Sequence, residues 1–155
     1  MNKENEMQSC DVHNFKIIEI NNKEKIDAVI SECDSAFPTP IKTRIGYSDL
    51  LEKFSTYACF ACVRQNDTLG YIAFYVNNKN SAYVSLIAVQ PQYQNQHIGS
   101  ILLGYCEKKA QDKGINSVRL EVKKENQKAI SFYQAHGYRW EKDKNENSAY
   151  MIKNI

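Results

Sequence analysis

The chain is predicted to fold as an α/β (α+β) protein around a mixed, mostly antiparallel central sheet. Three observations predict it. Apolar residues switch along the chain between a period of two and helical spacing. Three consecutive strand-like runs, at 58–64, 69–76 and 82–89, are joined by the polar turns Gln65-Asn66-Asp67 and Asn77-Asn78-Lys79-Asn80, which suits an antiparallel meander. A helical stretch at 98–113 then separates two strands, and a helical crossover returns the chain in the same direction, so those two strands are parallel. The element order reads β-α-α-β-β-β-α-β-α-β-β.

Each element has a local reason. Residues 1–14 are polar and read as a loose leader, leaving 15–155 as one domain. Residues 15–20 alternate as a strand. Asn21 or Asn22 can cap the next helix, with Ile26, Val29, Ile30, Cys33 and Phe37 at helical spacing, and Pro38-Thr39-Pro40 stops it. A short helix at 48–56 buries Leu50, Leu51 and Phe54. The helix at 98–113 turns Ile101, Leu102, Tyr105 and Cys106 inward, and Gly114 is suited to close it. A strand at 117–123, a helix at 127–136 closed by Gly137, and a hairpin of 138–141 with 149–155 complete the chain. The last strand is expected to be exposed and able to pair across a homodimer.

Composition narrows the function. The 20 basic residues against 18 acidic ones give a net charge of +2, too small to point to nucleic acid or an anionic membrane. No apolar run approaches the ~20 residues of a spanning helix. Residues 1–12 lack the apolar core of a signal peptide, so a cytoplasmic protein is the expectation. Five cysteines at irregular spacing do not suggest a disulfide framework. Cys59-Phe60-Ala61-Cys62 has metal-ligand spacing, but residues three apart on a strand point to opposite faces. Cys10-Asp11-Val12-His13 reads as accidental, and no metal site is expected.

The most informative stretch is residues 91–103, PQYQNQHIGSILL. It reads as a strand end, a polar loop and the start of an amphipathic helix. A helix start offers unpaired N–H donors and the positive end of a dipole, and so favours an anion. The loop lacks the Lys-Ser/Thr pair of a P-loop and has one glycine where a dinucleotide fingerprint has three.

Two segments carry a family resemblance. In the first, Ile87-Ala88-Val89 is followed by Gln94-x-x-His97-x-Gly99; in the second, Leu120-Glu121-Val122 is followed by Asn126, Ala129, Ile130, Phe132, Tyr133 and Gly137-Tyr138. Together they resemble the Gcn5-related N-acetyltransferase (GNAT) superfamily, and within it the ribosomal-protein alanine N-acetyltransferases. The resemblance implies helices on both faces of the sheet. It implies acetyl-CoA as co-substrate and a primary amine as acceptor, either a small molecule or a protein N-terminus. It assigns the diphosphate to the main-chain amides of Asn95, Gln96, His97, Ile98, Gly99 and Ser100, with Gln94 beside them. Ile87, Ala88 and Val89 would run along pantetheine, and Asn126 would hold its amide. His97 stands where the signature has a glycine, a position that asks for positive φ.

The resemblance also assigns chemistry. Tyr133 would be the general acid that protonates the departing thiolate, since a phenol with pKa ~10 stays protonated at neutral pH. From periodicity alone the core-aromatic reading comes first, and the resemblance reverses that order. Glu121 would be the general base; from alternation alone it belongs to a solvated face with Arg119 and Lys123. A non-catalytic GNAT-like binding module is the alternative, motivated by His97, and titration with acetyl-CoA separates the two.

Overall fold

In a computed structural model, residues 14–77 and 80–155 are described in full and residues 5–10 by their backbone. The elements are β1 (Asn5–Cys10), β2 (Phe15–Glu19), α1 (Lys23–Cys33), α2 (Tyr47–Thr56), β3 (Cys59–Arg64), β4 (Thr68–Tyr75), β5 (Ala82–Val89), α3 (Ile98–Asp112), β6 (Ser117–Lys123), α4 (Gln127–Ala135), β7 (Arg139–Asp143) and β8 (Ser148–Asn154). They form one eight-stranded sheet in the order β1-β2-β3-β4-β5-β6-β8-β7. Among the described residues only β5 and β6 are parallel; every other neighbouring pair is antiparallel, as the meander and the crossover require.

Two hydrophobic layers sandwich this sheet. On one face, α3 and α4 contribute Leu102, Leu103, Cys106, Ile130 and Tyr133, which pack on Ile72, Phe74, Val118, Leu120 and Val122. On the other, α1 and α2 contribute Ile26, Val29, Ile30, Cys33 and Phe54, which pack on Phe60, Tyr71 and Ala73. Each fully buried aliphatic side chain stabilises the fold by roughly 1.5–3 kcal/mol relative to exposure. Cys59 belongs to the first layer and Cys62 to the second, so the CxxC spacing divides across the sheet.

Three expectations are corrected. Within the leader, Asn5–Cys10 is a strand, paired antiparallel to β2 with Met7 opposite Ile17. Its sequence, NEMQSC, carries no apolar alternation, so main-chain pairing to the free edge of β2 makes it a strand. Residues 1–4 and 11–13, and the side chain of Cys10, lie outside the described residues. The first helix ends at Cys33, four residues before Phe37. The Asp34 carboxylate accepts from the amides of Ile41 (2.9 Å) and Lys42 (3.3 Å), closing a loop around Pro38-Thr39-Pro40. The final strand is not an edge: β8 inserts between β6 and β7, which leaves β7 as the exposed border and removes the basis for pairing through residues 149–155.

Candidate active site

The two parallel strands part almost as soon as they meet. Ala82–Val84 pair with Val118–Leu120, and no further β5–β6 pair occurs among the described residues. A bulge drives β5 away: Ala73 faces Leu86 but Phe74 faces Val84, so Ser85 is an extra residue. β6 meanwhile stays paired to β8 along its whole length. A fork therefore opens after Leu120, with the main-chain groups of Leu86–Val89 along one limb.

A cleft of about 710 Å³ opens at this fork, lined mostly from the α3/α4 side, with Ala36 and Pro38 reaching it from the α1 side. Ile87, Ala88 and Val89 line one wall, and Gln94, Asn95, His97, Ile98, Gly99 and Ser100 line its end. Asn126 and Tyr133 line the opposite wall. Gln96 is exposed and lies outside the cleft. Glu121 lies outside it too, on the opposite face of β6 from Val118, Leu120 and Val122.

The loop holds an unusual backbone. Asn95 and His97 both have φ of +64°, the left-handed region that non-glycine residues enter rarely. His97 thus occupies the conformation for which glycine is favoured, and it directly precedes α3. The first helical bond runs from the Ile101 N–H to the His97 carbonyl at 3.0 Å, so the amides of Ile98, Gly99 and Ser100 precede it and point out of the helix end. Gly99 also sets how closely two helices pack. A Cβ there would lie 2.9 Å from Phe132 Cζ, so its absence lets α3 and α4 close on each other.

Side chains buttress the loop. Gln94 donates to the Val89 carbonyl at 3.2 Å and accepts from Lys128 Nζ at 2.8 Å. Ser100 Oγ lies 2.7 Å from His136 Nε2, while His136 Nδ1 lies 2.7 Å from the Phe132 carbonyl. Lys128 and His136 line the cleft; nothing in the sequence points to Lys128, and His136 reads there only as a cation suited to the end of its helix. The i, i+3/i+4 run Ala129, Phe132, Tyr133, His136 was the available signal.

Tyr133 is both a core aromatic and a cleft residue. Its ring makes edge contacts with Phe132 (5.4 Å) and Tyr138 (5.8 Å). Burial pushes its phenol up to about 12, which keeps it protonated across the neutral range. Asn126 caps α4, its Oδ1 accepting from the Ala129 amide at 3.1 Å, which leaves its NH₂ to donate elsewhere.

Across the sheet, Glu121 sits one residue beyond the last β5–β6 pair. Lys144 Nζ donates to its Oε2 at 2.8 Å, and Tyr150 is its direct cross-strand partner. Arg119 stacks over the Tyr150 ring at 3.8 Å and pairs with Glu141 at 2.8 Å. The Tyr83 phenol is raised by burial, then by Glu121 and Tyr150.

Residues 26–138 match the family model described as the acetyltransferase (GNAT) family. The chain belongs to that family. It is an acetyl-CoA-dependent N-acetyltransferase. Among curated relatives, a Bacillus subtilis (strain 168) protein provisionally named a ribosomal protein bS18-alanine N-acetyltransferase is 26% identical over 127 residues, 81% of this chain and 78% of that one. Two solved structures share the fold. The PaiA N-acetyltransferase of Thermoplasma acidophilum in complex with coenzyme A superposes with a TM-score of 0.77 at 21% identity, over 91% of this chain and 99% of that one. The ribosomal-protein-S18-alanine N-acetyltransferase of Escherichia coli does so with a TM-score of 0.73 at 18% identity, over 91% and 94%. The family resemblance, fold and co-substrate read from the sequence are borne out. No helix among the described residues is long and apolar enough to cross a membrane.

Proposed function

We propose that this acetyltransferase works by direct attack of a primary amine on the thioester, with the acceptor entering on the Glu121 side of the fork. The observation that supports it most is the fork itself. It leaves Leu86–Val89 without β6 partners along a cleft that ends in outward-pointing amides, with Tyr133 packed over one face of β6 and the Glu121 carboxylate on the other. The residues suit the co-substrate: the amides of Ile98, Gly99 and Ser100 and the dipole of α3 favour a diphosphate. The NH₂ of Asn126 is available for a pantetheine amide, and the limb Ile87–Val89 offers main-chain N–H groups to a thioester oxygen.

Glu121 serves as base, taking a proton from the incoming ammonium, and Tyr133 serves as acid toward the leaving sulfur. A ribosomal protein N-terminus is one acceptor consistent with the relatives; a small primary amine is the other. The reduced cysteines Cys33, Cys59, Cys62 and Cys106 suit a reducing compartment such as the cytoplasm. Calorimetric titration with acetyl-CoA, followed by free-thiol release across peptides with varied N-termini and a panel of small amines, tests this reading. Binding with turnover of at least one acceptor class supports it. No binding of acetyl-CoA defeats it.

A further inference from the structure

Resting on that reading, we propose that Lys144 is itself an acetyl acceptor, modified in cis by this active site. Its ammonium donates to Glu121 at 2.8 Å, and Glu121 is the first β6 residue past the fork. A primary amine of the chain thus occupies the place on the base that an external acceptor must take.

The turn that carries Lys144 is held in place. The Lys144 amide donates to the Ser148 carbonyl at 2.9 Å, and Asn145 Oδ1 accepts from the amides of Asn147 and Ser148, each at 2.9 Å. The preceding Asp143 is fixed by Lys124 at 2.8 Å and by the indole of Trp140 at 3.3 Å. Lys144 nevertheless keeps 41% of its side-chain surface exposed, and the proposal requires its Nζ to leave Glu121 and swing along the fork. The neighbouring Lys124 is engaged by Asp143 and not by the candidate base.

In the reaction, Lys144 Nζ gives one proton to Glu121, which passes it to water. The amine then attacks the thioester carbonyl carbon and loses its second proton to water as the amide forms. The C–N bond forms and the C–S bond breaks, its electron pair leaving on sulfur. That sulfur takes the phenolic proton of Tyr133, which is restored from solvent. The products are Nε-acetyl-lysine, CoA thiol and one proton released to water. Acetylation removes the Lys144 charge, dissolves the ion pair and leaves Glu121 without its internal partner.

The test is to incubate the full chain with acetyl-CoA and no added amine, then to follow intact mass and map the modified peptide. The expected result is one acetyl group on Lys144, at a first-order rate unchanged on dilution of the protein. The modification is expected to be absent in Lys144→Arg and roughly tenfold or more slower in Glu121→Gln. Acetyl groups spread over exposed lysines, insensitive to Glu121→Gln, would overturn the proposal. A second arm needs no acetyl-CoA: trace labelling with acetic anhydride should find Lys144 protected relative to Lys142 in the unmodified protein and equal to it in Glu121→Gln. Equal labelling in both proteins means the pair does not hold Lys144, and the proposal falls. Calorimetry separates the failures: acetyl-CoA binding with an unmodified Lys144 defeats this inference alone, whereas no binding defeats the catalytic reading as well.

Discussion

In the proposed reading two residues share the chemistry, Tyr133 on α4 and Glu121 on the other side of β6, and each can be tested alone. Tyr133→Phe keeps the ring contacts with Phe132 and Tyr138 and removes only the hydroxyl, and with it the proton to be donated. Its kcat should fall by about 10²-fold or more while the KM for acetyl-CoA changes little, as steady-state kinetics would show. Elsewhere, Glu19 accepts from Lys109 at 2.7 Å and also from Tyr105. Burial raises the Glu19 pKa, but the bonds from Lys109 and Tyr105 outweigh it and leave it lowered, so its contribution to stability is present above the unfolded carboxylate range and fades as pH falls. Lys109 is raised by the same bond, so its share fades only at alkaline pH. Glu19→Gln should therefore destabilise by roughly 1–2 kcal/mol in denaturant melts near neutral pH, and by less in acid.

At the scale of elements, the loop before α3 is a backbone device that tolerates its unusual residue. His97→Gly should keep acetyl-CoA affinity and relieve the positive φ, raising stability by about 0.5–1 kcal/mol in thermal melts. Gly99→Val is expected to do the reverse, forcing Phe132 aside at a cost of about 1–3 kcal/mol, with partial rescue by Phe132→Leu. These positions are legible in the sequence because φ and helix-start geometry are local. Ala82–Val89 and Ser117–Lys123 fall where alternation and turn chemistry put them. The strand Asn5–Cys10 is not legible, since its pairing comes from β2 and not from its own side chains. The placement of β8 is hidden for a similar reason: nothing local in a hairpin states which of its strands joins β6. Lys128 and Lys144 escape notice, and His136 shows only its place at a helix end, because their partners, Gln94, Glu121 and Ser100, lie 34, 23 and 36 residues away.

For the whole molecule, binding and folding are linked. Acetyl-CoA at about 100 times its Kd should add ~2.7 kcal/mol, or about 5–10 °C in Tm for a chain of this size, by differential scanning calorimetry. The exposed β7 border alternates cations and anions through Arg139, Glu141, Lys142 and Asp143, a composition that discourages edge-to-edge pairing.

Only three residue pairs stitch β5 to β6. The sheet is in effect two panels joined by a short seam, with α3 as the strap across it. A molecule lodged in the gap acts as a rivet between the panels. Amide hydrogen exchange should then slow most along residues 85–89 and at the start of α3 when acetyl-CoA is added, while the amides of β2 and β3, far from the seam, keep their rates.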